Sequence, residues 1–166
     1  KQTTQFVVGA AEETDAEIVR YMEGLYDRLR LQRVYFSAYQ KGLGDSALAG
    51  EGAPAGRDAL AREHRLYQVD FLMRRYGFAA AEIGFDPSGN LPLELDPKEH
   101  WARRHPEFFP LDINRASPRD LLRVPGLGEI TVRRIVEQRK ASRIRTLDEV
   151  ARPTAWTRKA GGYLRA

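Results

Sequence analysis

The chain has 166 residues, 42% of them hydrophobic, enough for one domain or two small ones with a buried core. It has no cysteine, which excludes disulfides, a cysteine nucleophile and thiolate metal ligation within it. No apolar run approaches the roughly 20 residues of a membrane span and no secretory signal opens the chain, so no membrane partner and a cytoplasmic location are expected. The net charge of +4 is uneven: residues 112–166 hold 13 Lys/Arg against 6 Asp/Glu, whereas residues 1–111 hold 14 against 17. The basic end suits a polyanion partner; the alternative is a solvated Arg-rich surface.

In chain order, the β-prone run at 4–9 predicts a buried strand. Thr14 and Glu17 have capping-box spacing. Behind them Ile18, Met22, Leu25 and Leu29 fall at i, i+4, i+7 and i+11, so an amphipathic helix is expected to end near Leu31. A second strand is expected at 33–39. Strand, helix, strand over this length is a βαβ unit with a parallel pair. Two parallel strands do not make a stable sheet alone. With Lys1 in place of an initiator Met, the sequence therefore reads as a fragment of a longer protein.

Residues 40–57, rich in Gly, Ala and Ser, read as a long mobile loop. A helix is expected over 58–76, stopped by Gly77, with Leu66, Val69, Met73 and Tyr76 on one face. Turn signals stand at 86–90, a short helix at 97–105, and Pro106 and Pro110 punctuate the join to the basic end. Ser117-Pro118-Arg119-Asp120 is a helix start, with Ser as N-cap, Pro in the first turn and Asp behind it; the helix runs over 118–123. The Gly126-Leu127-Gly128 turn follows, then a helix to about Lys140. The glycines bend the chain without a Cβ clash and let a bulky group approach main-chain N–H groups. The open N–H groups and positive dipole end of the next helix lie beside them, which makes an anion site. Thr146 and Glu149 open another short helix, and Pro153-Thr154 a last one broken near Gly161-Gly162.

Other candidates are weaker. His64, His100 and His105 are too scattered for a metal triad. His64, beside Glu63 and nearly two turns from Asp70, reads as a helix-face hydrogen bond, the alternative being a metal or acid/base group. Glu94 and Asp96 read as caps. Trp101, Phe108, Phe109 and Trp156 read as packing residues rather than stacking platforms. The pairs Arg74-Arg75 and Arg103-Arg104 would extend a basic footprint.

The run Leu121-Leu122-Arg123-Val124-Pro125-Gly126-Leu127-Gly128, continued by Glu129-Ile130-Thr131-Val132-Arg133-Arg134-Ile135-Val136, resembles the helix-hairpin-helix motif. The resemblance implies that the amides of Gly126, Gly128, Ile130 and Thr131 hold a DNA phosphate, with Leu127 packing between the helices. Arg133 and Arg134 would be the nearest cations, with Arg139 and Lys140 further along, then Arg143 and Arg145. It also implies a monovalent cation, K+ or Na+, on the carbonyls of Leu122, Val124 and Leu127. The family usually pairs two hairpins; here the second half, at 150–164, lacks its Gly-x-Gly and reads as structural.

Over most of its length the chain also resembles the C-terminal part of a bacterial family of DNA modification or repair radical SAM proteins. The stretch Arg62-Glu63-His64-Arg65-Leu66-Tyr67-Gln68 is the most specific, alongside stretches at 4–10, 33–38, 91–98 and 112–116. The resemblance implies three segments: 1–39, the βαβ end of a radical SAM-like barrel; 40–109, a loop and helical connection; 110–166, a helix-hairpin-helix DNA-binding domain. The fold class expected is α/β, mainly helical. A 4Fe–4S cluster and S-adenosylmethionine would belong to the longer parent, whose upstream barrel portion would be a partner. No cofactor is expected in this chain, whose Gln5 and Ser37, at strand ends, would either approach the parent's cofactor or simply be buried. The function implied is DNA binding without sequence specificity, targeting a radical SAM-type repair or modification protein to DNA. The alternatives are a stand-alone DNA-binding module and a protein-interaction domain.

Overall fold

A computed structural model of the chain describes residues 2–42, 44–52 and 57–166. The described residues form a mixed α/β structure of seven α-helices, three 3-10 turns and four short strands. The strands make two two-stranded sheets and no barrel. The chain divides into two compact units, 1–97 and 98–166.

In the first unit, β1 (Thr3–Val8) and β2 (Arg33–Ala38) flank α1 (Asp15–Asp27). The strands pair in parallel, from Thr3 opposite Arg33 to Val8 opposite Ala38. Alternation along them buries Val8, Val34 and Phe36 in a core with Ile18, Val19, Met22, Leu66, Val69 and Leu72. The other face of the pair leaves Gln5, Val7, Arg33 and Tyr35 exposed. Gln5 donates to the Ser37 hydroxyl at 2.9 Å there, so this pair is not buried.

The start of α1 is fully partnered. The Glu17 N–H donates to Thr14 Oγ1 at 3.2 Å, and the Glu17 carboxylate accepts the Thr14 N–H at 2.8 Å. The turn at 86–90 supplies the remaining acceptors: Asn90 Oδ1 takes the Asp15 N–H at 3.2 Å and the Gly89 carbonyl takes the Ala16 N–H at 2.9 Å. The helix closes at Asp27, short of the expected Leu31. Arg30 adopts a left-handed φ of +53°, and Leu29, the last residue of the expected stripe, is 62% exposed.

Helix α3 (Arg57–Tyr76) packs on both strands and on α1. It stops at Gly77, whose φ of +69° suits a residue without a Cβ. With α1 it closes the outer edge of β2. Tyr26 Oη accepts the Val34 N–H at 2.9 Å. Tyr67 Oη accepts the Phe36 N–H at 3.1 Å and donates to the Phe36 carbonyl at 2.9 Å. Glu63 Oε2 accepts the Ala38 N–H at 2.7 Å. Side chains thus take the place of a third strand.

Within the 40–57 stretch a four-residue helix, α2 (Ala49–Gly52), interrupts the expected loop; residues 43 and 53–56 lie outside the described residues.

The second unit holds α4 from Lys98 onward (Pro97–Arg104), β3 (Leu111–Asp112), α5 (Pro118–Leu121), α6 (Glu129–Ala141), a 3-10 turn at Leu147–Glu149, α7 (Ala155–Gly161) and β4 (Leu164–Arg165). Strands β3 and β4 pair in parallel, Leu111 with Leu164 and Asp112 with Arg165. Ile113, Leu121, Val124, Leu127, Ile135, Ile144 and Ala160 lie in the core they enclose.

Candidate nucleic-acid interface

The basic unit is organised around the 122–128 turn. Ser117 Oγ accepts the Asp120 N–H at 3.1 Å and starts α5. The helix is one turn long, after which Val124 N–H reaches the Leu121 carbonyl at 3.1 Å and Leu127 N–H the Val124 carbonyl at 3.1 Å. Gly126 bends the chain at φ +88°. A Cβ there would lie far inside van der Waals contact with the Trp156 carbonyl oxygen, so the turn and the start of α7 meet backbone to backbone. Leu127, between the glycines, is 2% exposed and locks the turn to the core.

Helix α6 begins on Gly128, which offers no side-chain cap. The backbone N–H groups of Gly126, Gly128, Ile130 and Thr131 have no acceptor among the described residues; the first intrahelical bond runs from Val132 N–H to the Gly128 carbonyl at 2.9 Å. The Ile130 side chain is exposed, as are Arg133 and Arg134, and these three share one face of the helix at i, i+3 and i+4. Amide donors, a positive dipole end and two exposed guanidinium groups therefore stand together. Glu129 is the one acidic residue of the first turn.

Arg139 and Lys140 are placed differently. Arg139 is turned inward: Nη1 donates to the Ala116 carbonyl at 2.7 Å and, at 3.4 Å, to that of Ile113, tying α6 to the segment before α5. Lys140 pairs with Glu137 at 3.0 Å, both well exposed, an arrangement worth little in water. Asn114 reinforces the inward tie. Its Nδ2 donates to the Ile144 carbonyl at 2.9 Å and its Oδ1 accepts the Ile144 N–H at 2.8 Å.

Two of the three carbonyls to which the resemblance assigns a monovalent cation already accept a donor within the chain. The Leu127 carbonyl already accepts the Lys98 ammonium at 2.6 Å, and Lys98 is only 6% exposed. The Val124 carbonyl accepts the Leu127 N–H. Lys98 was not legible as a site residue, although a lysine in the first turn of a helix, against the dipole, is a signal that it serves something other than its own helix. Its neighbour Glu99 accepts the Lys159 ammonium and Arg103 Nη2 at 2.7 Å. The Lys159 hydrogen bond, with help from Arg103, holds the Glu99 carboxyl below the usual glutamate range despite its burial. Two residues beyond Glu99, Trp101 takes the Arg123 guanidinium over its ring at 4.8 Å. Thus α4 braces the turn through Lys98 and α7 through Glu99.

Helix α7 starts with its own cap: Thr154 Oγ1 accepts the Thr157 N–H at 3.2 Å, and Thr157 Oγ1 accepts the Thr154 N–H at 2.7 Å. Trp156, expected to pack, is 61% exposed, whereas Trp101 is buried.

The first unit has a cleft of about 680 Å³ at the carboxyl ends of β1 and β2, lined among others by Gly9, Ser37, Tyr39, Arg62 and Asn90. At its base Asp15 is buried, bound by Arg62 Nε at 2.6 Å and the Leu91 N–H at 2.9 Å. Burial outweighs both and pushes its carboxyl above the usual aspartate range. His64 is exposed, while Glu63 is spent on β2. Asp70 takes Arg74 through two bonds, at 2.8 and 2.5 Å, which withdraws Arg74 from a surface footprint. Among the described residues no group of His, Asp and Glu is placed to hold a metal ion, and no helix is long and apolar enough to cross a membrane.

The chain matches no protein-family model, no curated protein and no solved structure.

Proposed function

We propose that the second unit binds DNA through its phosphate backbone, in the manner of a helix-hairpin-helix. The observation that carries this reading is the open start of α6: four backbone N–H groups without acceptors among the described residues, on a glycine-built turn, with Arg133 and Arg134 exposed beside them. A phosphate oxygen would complete the amides that the chain leaves open, and the helix dipole would favour its charge. Contacts of this kind fix position on a duplex and do not read base edges, so binding is tolerant of sequence. Arg139 serves the internal scaffold in this reading, and Arg133 and Arg134 supply the countercharge.

In the same proposal the unit delivers a longer radical SAM-type repair or modification protein to DNA. The parallel, in-register βαβ unit favours that extension, since it is the repeating piece from which such barrels are built.

The test is a fluorescence-anisotropy titration of a short duplex at two salt concentrations, with the wild-type chain and Arg133→Ala/Arg134→Ala. Wild-type binding should weaken with salt. The double variant should bind more weakly, with a log–log salt slope shallower by roughly 0.9 for each phosphate that is no longer neutralised. Circular dichroism should be unchanged. Absence of wild-type binding at low salt would overturn the reading and shift weight to a protein-interaction role, for which the exposed Ile130 and Trp156 are the natural contacts.

A further inference from the structure

The buried Lys98 points to a cation that the turn carries with it. Backbone carbonyls at a tight turn are partial negative charges, and one left without a donor in a buried setting is costly. A dissolved cation is one remedy and a tethered ammonium is another. Here the ammonium of Lys98 reaches the Leu127 carbonyl at 2.6 Å from a side chain that is 6% exposed. Leu127 is the residue between the two glycines, and its own side chain is locked in the core. Its carbonyl and the N–H of Gly128 belong to the same peptide plane. Fixing the carbonyl therefore fixes the direction in which that N–H points. The N–H of Gly128 is one of the donors without an acceptor among the described residues.

Three further observations argue that the lysine is built for this contact. Lys98 sits in the first turn of α4, where its charge opposes the dipole of its own helix. Its side chain gives up rotamer freedom and hydration in this buried setting, a cost that surface lysines do not bear. Helix α4 is itself anchored on both sides, by Glu99 to Lys159 of α7 and by Trp101 to Arg123, so the ammonium is held on a fixed arm. A dissolved potassium or sodium ion on the Leu127 carbonyl would meet this ammonium at close range and be repelled.

From this geometry we infer that Lys98 is the turn's resident cation, a positioning residue that orients the Leu127–Gly128 peptide and makes the phosphate site independent of dissolved potassium or sodium. The inference deepens the phosphate-binding reading and rests on it for its duplex arm; the stability arm stands without it.

The test compares the intact wild-type chain with Lys98→Met in matched chloride solutions of potassium, sodium and tetramethylammonium at one ionic strength. Tetramethylammonium is too large for a carbonyl turn. Thermal melting is the first readout. The wild type should melt at one temperature in all three salts, and Lys98→Met should melt lower in tetramethylammonium and recover in potassium or sodium. Duplex affinity is the second. The wild type should be indifferent to the cation, and Lys98→Met should bind about tenfold more weakly in tetramethylammonium and regain affinity in potassium. A wild-type chain that needs potassium or sodium for either readout overturns the inference. So does a Lys98→Met variant that matches the wild type in every salt. If Lys98→Met does not fold in tetramethylammonium, its folding in potassium or sodium becomes the readout, and failure to fold in all three salts overturns the inference. Absence of duplex binding by the wild type in all three salts would overturn the DNA reading alone and leave the melting comparison to judge Lys98.

Discussion

Helices α1 and α6 are each 13 residues long, yet they begin in opposite ways. The first turn of α1 is closed from within: Thr14, Gly89 and Asn90 between them accept the N–H groups of Asp15, Ala16 and Glu17. In α6, behind a glycine cap, the N–H groups of Ile130 and Thr131 have no acceptor among the described residues. Helix α7 follows α1, with Thr154 and Thr157 capping each other. A helix start that serves only the fold is closed by the side chains and loops nearest to it, because an unmatched amide costs stability. One left open on a buttressed turn, with arginines beside it, is the feature on which the proposed phosphate contact rests.

The contrast can be broken at several points. The largest effect is expected at the support of the open end. Gly126→Ala combines a left-handed backbone with a clash against the Trp156 carbonyl and should destabilise the second unit by about 2–4 kcal/mol, read as an early transition in thermal melting. Survival with unchanged melting would mean that the turn and α7 part easily. This substitution disturbs packing and amide display together, which is why the arginine pair is the cleaner probe of binding.

Removal of a closed cap comes next. Thr154→Ala should cost about 1 kcal/mol and leave duplex affinity unaltered, since the α7 start is self-contained. A loss of affinity without loss of stability would show that α7 also touches the nucleic acid and would blur the contrast.

A third effect is on pH. The Glu99 carboxyl is held below its ordinary value by Lys159 and Arg103. The ionised form is therefore the one that the fold favours, and its contribution is fully present above the unfolded value of about 4.5. That contribution is lost as pH falls through the depressed folded value. Melting of the wild type should decline through this acid range, and Glu99→Gln should show a shallower decline. Equal slopes would mean that the α4–α7 link carries no such dependence. The smallest effect is expected at the exposed Lys140–Glu137 pair, where Lys140→Ala should leave melting unchanged and reduce duplex affinity slightly through net charge.

Much of the scaffold was legible because its signals are local. Thr14 and Glu17 mark a helix start within four residues, Ser117-Pro118 marks another, and Gly77 marks an end. The expectation for 58–76 falls within one residue of α3. The far end of α1 was not legible. The Leu29 position continues the apolar stripe, and only the left-handed turn at Arg30 takes it out of the core. Gly126 was legible as a turn glycine, but its close approach to Trp156 depends on α7 folding back. The contacts least visible in sequence join distant residues: Lys98 and Leu127 are 29 positions apart, and Asn114 and Ile144 are 30 apart. Arg139 and Arg133 have the same side chain on the same helix, and only the path of the chain before α5 turns one inward to carbonyls and leaves the other facing water.

The tyrosine and glutamate contacts along β2 bear on how the sheet meets other chains. An edge with bare N–H and C=O groups is a template for sticky strand addition and aggregation. On β2 that template is insulated: the amides of Val34, Phe36 and Ala38 are already matched by Tyr26, Tyr67 and Glu63, and an incoming strand would have to peel two helices' worth of side chains away to pair. Growth of this sheet has one permitted direction, outward from β1.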